Sequence, residues 1–368
     1  MSTQRWFNAL CLAIGVLLYI TWGYPLRERV FSGENDFMQL YCGARLVGTP
    51  DLYNFEACKE LQKTFTREHT YYPSVYYSRP PFQAFLLKPL AYLPYHTAYW
   101  IWQSFSIAMI AAFLIVFTRL YPETIVLASL SVPLLINLTN AQDVGITMAL
   151  AGFSVLLAHR NRDFLAGLVL SLAAIKFHFF VLVPLLSIVH RRWRYLAGGA
   201  IGGAILVLLS FLAQGLRWPL EYLATLRSPE IHLNPDRMPT LRNWAYFFSG
   251  RENMPLEIGM SLAVVGLYAY LAWRIRDFRL AFALLLPAGI LIAHHAYSQD
   301  LTLLLLSIAL FAIARAPKLL LGVTIAASLP PVAFLLLDTY PWTTFVPLFL
   351  LAIPLAALLS YRKSMSIP

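Results

Sequence analysis

Charge is what this sequence has least of. Only 12% of its 368 residues are Asp, Glu, Lys or Arg, against roughly 25% in a soluble domain. With 59% hydrophobic residues and a mean hydropathy of +0.63, a single water-soluble globule and a disordered chain are both excluded. Cysteine is nearly absent, at three residues, and neither a Cys–His spacing suited to zinc nor an H-E-x-x-H pattern occurs. No metal site or cofactor is read from these residues, though they do not by themselves exclude a metal. A G-x-G-x-x-G unit is missing, so no Rossmann-type nucleotide-sugar domain is expected either. Internal symmetry, the mark of repeat-built secondary transporters, is absent too: the loops differ in length and the apolar runs vary irregularly.

What the chain does have is apolar runs. The first, at 6–24, has no small-x-small cleavage site behind it and reads as an uncleaved span rather than a signal peptide. Others follow at 97–118, 123–139, 144–158, 164–175, 178–190, 195–214, 256–273, 280–297, 301–314, 318–337 and 342–360. The pieces 164–175 and 178–190 fall short of the ~20 residues of a crossing. They form either a half-depth hairpin around Lys176-Phe177-His178 or one long helix with charge at mid-depth. The expected fold is an all-α polytopic membrane protein of ten to twelve spans, forming one domain over 1–368.

Orientation follows from Lys and Arg in the short connections. One side collects Arg5, Arg119, Arg160 and Arg162, the run Arg191-Arg192-Trp193-Arg194, then Arg274, Arg276, Arg279, Arg315, Lys318, Arg362 and Lys363. It holds only three acids, Glu123, Asp163 and Asp277, while the short connections opposite carry Lys176 alone. The net charge of +10 is thus a membrane-orientation signal and not a nucleic-acid footprint. Both termini are expected in the cytoplasm.

Two long loops fall on the outer side. The loop 27–95 is amphipathic: Asp36-Phe37-Met38-Gln39 is a capping-box pattern, followed by Leu40, Tyr41, Ala44 and Val47 at helical spacing. A second helix is expected over 51–66. After Tyr71-Tyr72-Pro73 and Arg79-Pro80-Pro81 comes a short apolar helix ending at Leu93-Pro94. Such helices should lie on the bilayer surface. The second loop, 215–255, is rich in proline and charge and contains Met238-Pro239-Thr240-Leu241-Arg242-Asn243. Two loops of this kind suit an enzyme that works on a lipid-linked substrate at the outer face.

A series of spaced motifs carries a resemblance. Asp36-Phe37, Tyr41, Ala44, Gly48 and Leu52-Tyr53 open it. Pro80-Pro81, Pro89-Leu90, Leu93-Pro94, Ala98 and Trp100 follow, then Asn140-Ala141-Gln142 and Ala166-Gly167 leading to Ile175-Lys176. Arg191 to Arg194, Met238 to Arg242 and a histidine–tyrosine stretch ending at Asp300-Leu301 complete it. In that order, over about 30–305, the chain resembles glycosyltransferase family 87, membrane enzymes of the GT-C class that include polyprenol-phosphate-mannose-dependent α-mannosyltransferases. Ala141 stands where the family usually has Gly, and Phe177 where it often has Pro. The resemblance implies a metal-independent, inverting hexosyltransferase of glycolipid or cell-envelope biosynthesis. Its partners would be a polyprenyl-phosphate-sugar donor, a lipid or glycan acceptor and membrane lipids, in a bacterial inner membrane, with the active site on the extracytoplasmic side. A multi-span secondary transporter, and a polysaccharide polymerase or ligase with a diphosphate-linked donor, are the alternatives.

Each candidate residue has a structural and a functional reading. Asp36 is either a helix cap or, as the resemblance implies, the general base that takes the acceptor's proton. Lys176 either snorkels to the interface or holds the donor phosphate. His178 is either a satisfied interior histidine or a substrate contact. In His294-His295-Ala296-Tyr297, adjacent histidines point in different directions on a helix, so they are no metal pair; His295 is the candidate for the phosphate. Arg79 and Arg242 are surface cations or further phosphate ligands. Gln142 and Asp143 either cap a turn between two spans or contact sugar hydroxyls, and Tyr41 is a further substrate candidate. Asp300 reads as a cap of the next span. Cys42 and Cys58 share the outer loop, where an oxidising exterior permits a bridge.

Overall fold

Proline, and the places where apolar runs end, determine where the helices stop. The computed structural model describes residues 3–66, 75–231, 234–337 and 341–362, and no strand occurs among them. The Tyr71-Tyr72-Pro73 motif lies outside the described residues. Among the described residues, six helices are long and apolar enough to cross a membrane: Arg5–Gly23, Tyr95–Leu120, Asp163–Phe180, Trp193–Gln214, Met254–Arg274 and Trp342–Tyr361. The first exposes Leu10, Val16, Leu17 and Ile20, surface that lipid rather than water can cover. Shorter apolar helices lie deepest. Phe278–Ile292 and Leu303–Ile313 are buried over nearly their whole length, as helices apolar on all sides must be.

Two runs that read as continuous are broken. The 123–139 run divides into Thr124–Ser129 and Val132–Thr139, because the Ser131 hydroxyl caps the second helix at Leu134 N (3.3 Å) and Pro133 follows. The 318–337 run divides at Leu329, held extended (φ −68°, ψ 153°) by the Pro330-Pro331 pair after it. The 164–190 segment is neither the hairpin nor the long regular helix. It is α-helical over Asp163–Ser171, 3-10 helical over Leu172–Phe180 and α-helical again over Val183–Val189. The one non-helical residue in the 3-10 stretch is Lys176 (φ −125°, ψ 46°).

The 27–95 loop is folded into the protein. Its helix Phe37–Leu46 buries Phe37, Met38, Leu40, Tyr41, Cys42 and Ala44 and packs its aromatic rings against Tyr95, Tyr99 and Trp102 of Tyr95–Leu120. A helix covered on most sides is a core element, which corrects the surface placement. The helix expected over 51–66 is Phe55–Lys63, since the Asn54 side chain accepts from Glu56 N and Ala57 N and fixes its start. Pro81–Leu87 and a 3-10 turn Lys88–Tyr92 finish the loop. In the 215–255 loop, Leu241–Ser249 buries Leu241, Arg242, Asn243 and Ala245.

Candidate functional site

The site is built around one turn, residues 140–143, between Val132–Thr139 and Val144–His159. Trp102 Nε1 donates to the Ala141 carbonyl (2.9 Å), Gln142 N to the Asn137 carbonyl (2.9 Å), and Gly145 N to the Asn137 side chain (3.1 Å). Ala141 sits at φ +52°, the left-handed region. That explains why glycine is usual there in the family the motifs resemble: the position needs a backbone that glycine adopts without a Cβ penalty.

The turn directs two consecutive side chains to different tasks. Gln142 Nε2 donates to Asp36 Oδ2 at 2.5 Å, across 106 positions of sequence. Asp36 starts the helix Phe37–Leu46 but makes no side-chain capping bond; Asn35 Oδ1 accepts from Phe37 N instead (3.1 Å). The local capping-box reading is thus corrected, and Asp36 keeps a partly exposed carboxylate joined to Gln142. Asp143 is fully buried and makes no capping bond either. Its Oδ2 accepts from Arg79 and from Gln83 Nε2 (3.0 Å), and its Oδ1 lies 3.9 Å from Lys176 Nζ.

Lys176 does not snorkel. It is 5% exposed, and its ammonium donates to Asp300 Oδ1 at 3.1 Å. Asp300 in turn accepts from Tyr297 N on its other oxygen (2.7 Å), so it anchors both the lysine and the start of the 3-10 turn Ser298–Thr302. Burying an ammonium without partners is prohibitive, and the break at Lys176 brings it between two buried carboxylates. Asp300 and Gln83 were not among the candidate ligands, and Asp143 figured as a turn residue or sugar contact rather than as a counter-ion. A buried lysine demands counter-ions, and the acids at the edges of apolar runs were the places to seek them.

The histidines separate as their adjacency implies. His294 Nδ1 lies 2.8 Å from Glu257 Oε1, and the His294 carbonyl accepts from Arg242 (3.3 Å), which also donates to Glu252 (2.6 Å). His295 faces inward, its ring 6.4 Å from that of His178. Among the described residues, His178 Nε2 and His295 Nδ1 are buried without a hydrogen-bond partner. Burial, then Lys176, Arg79, Arg242 and His294, holds His295 down to about 3. It is therefore neutral at pH 7 and offers a hydrogen bond rather than a charge. Tyr41 stands apart from these residues: its hydroxyl donates to the Leu93 carbonyl (2.8 Å) and its ring packs on Phe65 and Tyr95.

Two clefts of about 290 Å³ are found among the described residues, one of which reaches His294. One, between Met254–Arg274 and Phe278–Ile292, is lined by Ile258, Leu262, Val265 and Ile292, with Glu257 and His294. The other is lined by Leu170, Phe177, Phe180, Val183 and Leu196, and Phe177 is the neighbour of Lys176.

Fold and site together define a polytopic membrane protein in which charges from distant segments meet in one buried polar cluster. Over residues 77–294, more than half of its length, the chain matches the model of glycosyltransferase family 87. It belongs to that family and is a membrane glycosyltransferase. No match was found among curated proteins or among solved structures. The matched region contains Arg79, Gln142, Lys176, His178 and Arg242. Asp36 and His295 lie outside it and join the cluster through the Gln142 bond and the His178 ring.

Proposed function

We propose that the protein is an inverting GT-C-type hexosyltransferase, with mannose the first candidate sugar. It moves the sugar from a polyprenyl-phosphate carrier to a lipid or glycan acceptor at the extracytoplasmic face. The observation that carries the reading is the Gln142-Asp143 turn, which ties a partly exposed carboxylate, Asp36, to a buried pair of cations, Arg79 and Lys176. Sugar transfer from a lipid phosphate needs those two features: a base for the incoming hydroxyl and positive charge for the departing phosphate. Asp36 takes the acceptor's hydroxyl proton as the acceptor oxygen bonds to the anomeric carbon. The bond from that carbon to the phosphate oxygen breaks, and the polyprenyl phosphate leaves with the electron pair.

Lys176 and Arg79 stabilise the leaving phosphate, Arg242 adds positive charge at the His294 turn, and neutral His295 donates a hydrogen bond to it. Gln142 orients Asp36, and His178 contacts the sugar. Tyr41 is assigned to packing, since its hydroxyl already serves the Leu93 carbonyl. The apolar clefts beside Phe177 and His294 support lipid-borne substrates, and the distribution of arginine supports cytoplasmic termini. Membranes containing the protein, given radiolabelled polyprenyl-phosphate-hexose, should pass label to an extractable acceptor. Transfer from a nucleotide sugar without the lipid carrier, or uptake without transfer, would overturn the reading.

A further inference from the structure

Cys42 and Cys58 lie 16 positions apart in the same loop and are close in space. Cys42 lies in the helix Phe37–Leu46, which begins beside Asp36, and Cys58 lies in Phe55–Lys63. Both are almost fully buried, at 0% and 2% exposure. Gln62 Nε2 is 3.2 Å from Cys58 Sγ and 3.7 Å from Cys42 Sγ, and Cys42 Sγ is 3.6 Å from the Cys58 carbonyl oxygen. Cys58 Sγ in turn lies 3.8 Å from the Val75 carbonyl oxygen. The third cysteine, Cys11, lies in the first membrane-spanning helix.

We propose that Cys42 and Cys58 are joined by a disulfide in the mature protein, which fixes Phe55–Lys63 to the helix that starts at Asp36. The proposal rests on the reading that places the 27–95 loop on the oxidising, extracytoplasmic side. The oxidant is an external disulfide, carried by a protein or a small thiol. The Cys58 thiolate attacks it and expels one thiolate; Cys42, deprotonated, then attacks the Cys58 sulfur of the mixed disulfide and expels the second. Two protons and two electrons leave the pair, and the external disulfide becomes two thiols. Both thiols are almost fully enclosed once the chain is folded, so the bond forms during folding, before Phe37–Leu46 is covered.

The full-length protein, acid-quenched in its membranes and denatured, is treated with a maleimide before and after reduction. One label, on Cys11, is expected before reduction and three after, with a linked Cys42–Cys58 peptide lighter by two hydrogen atoms than its reduced parts. Reductant should lower the melting temperature of the wild type by several degrees and leave the Cys42→Ser/Cys58→Ser variant unmoved. Orientation is read separately from Glu60→Cys in that double-serine background, using a membrane-impermeant maleimide on whole cells. Glu60 is an exposed position on Phe55–Lys63. Three labels without reduction, with residue 60 reached from outside, overturn the disulfide and leave the orientation intact. Three labels with residue 60 protected overturn the orientation, and the disulfide with it.

Discussion

Asp36 shows how far a local pattern and a long-range contact can diverge at one residue. The sequence places it at a helix start followed three residues later by Gln39, and a capping role follows from that spacing alone. In the folded chain Asn35 holds the first helical N–H, and Asp36 is bonded to Gln142. Asp36→Asn keeps the shape and a side-chain oxygen, so the melting temperature should change little. Loss of the basic carboxylate should lower the transfer rate roughly 10²–10⁴-fold. Purified Asp36→Asn with a normal melting curve and normal transfer would remove the base assignment. Ala141 makes a second, opposite case, because its family position was legible while its backbone was not. A non-glycine residue in the left-handed region costs roughly 1–2 kcal/mol, and glycine returns about 0.5–1 kcal/mol of that through its looser unfolded chain. Ala141→Gly should therefore stabilise the protein by about 0.5–1 kcal/mol, seen as a rise in melting temperature with transfer preserved.

At the scale of elements, apolar runs were legible wherever hydrophobicity alone decides, and Tyr95–Leu120, Trp193–Gln214 and Met254–Arg274 fall within a few residues of their runs. The breaks at Ser131 and Leu329 were not, because the runs stay apolar through them and only a cap or a proline pair ends the helix. At Lys176 the charge marked the place, and the 3-10 geometry with its buried ion pair was what the run did not show. The helix that leads into the Lys176 break, Asp163–Ser171, is packed backbone to backbone against Trp193–Gln214. A Cβ added at Gly198 would collide with the Phe164 carbonyl, and one at Gly167 with the backbone of Tyr195 and Gly199. Small residues at such a crossing let two membrane helices meet backbone to backbone. Gly198→Leu should force the helices apart, lower the melting temperature and reduce transfer. The obstacle is backbone, so the loss should reach or exceed the 1–3 kcal/mol typical of an overpacked core. Gly203→Ala on the same helix meets nothing within 4 Å and should be neutral or stabilising by up to about 1 kcal/mol. Equal melting curves for the two variants would show that this crossing does not carry the helix pair.

Across the whole molecule, the Asp143 carboxylate does what no single helix does. Through Arg79 it holds the 27–95 loop, and through Lys176 and Asp300 it is linked to the break in the 164–190 segment and to the turn before Leu303–Ile313. Its partners lie 64 positions away at Arg79, while Lys176 and Asp300 are 124 apart. No spacing within a sequence window could pair them, which is why the cations were legible as candidates and their counter-ions were not. Because the cluster is buried, removing the Asp143 carboxylate leaves Arg79 uncompensated, at a cost of about 3–5 kcal/mol, while Lys176 keeps Asp300. Asp143→Asn should lower the melting temperature of the detergent-solubilised protein accordingly. It should also weaken transfer through a misplaced Arg79, even though Asp36 is untouched. Adding Arg79→Gln to Asp143→Asn removes the stranded charge and should recover part of the stability, a coupling that unconnected sites would not show. It should recover none of the transfer, because the arginine proposed to meet the phosphate is gone. Strictly additive melting shifts would mean that Asp143 and Arg79 are not coupled in the folded protein, and the linkage between these segments would have to be sought elsewhere.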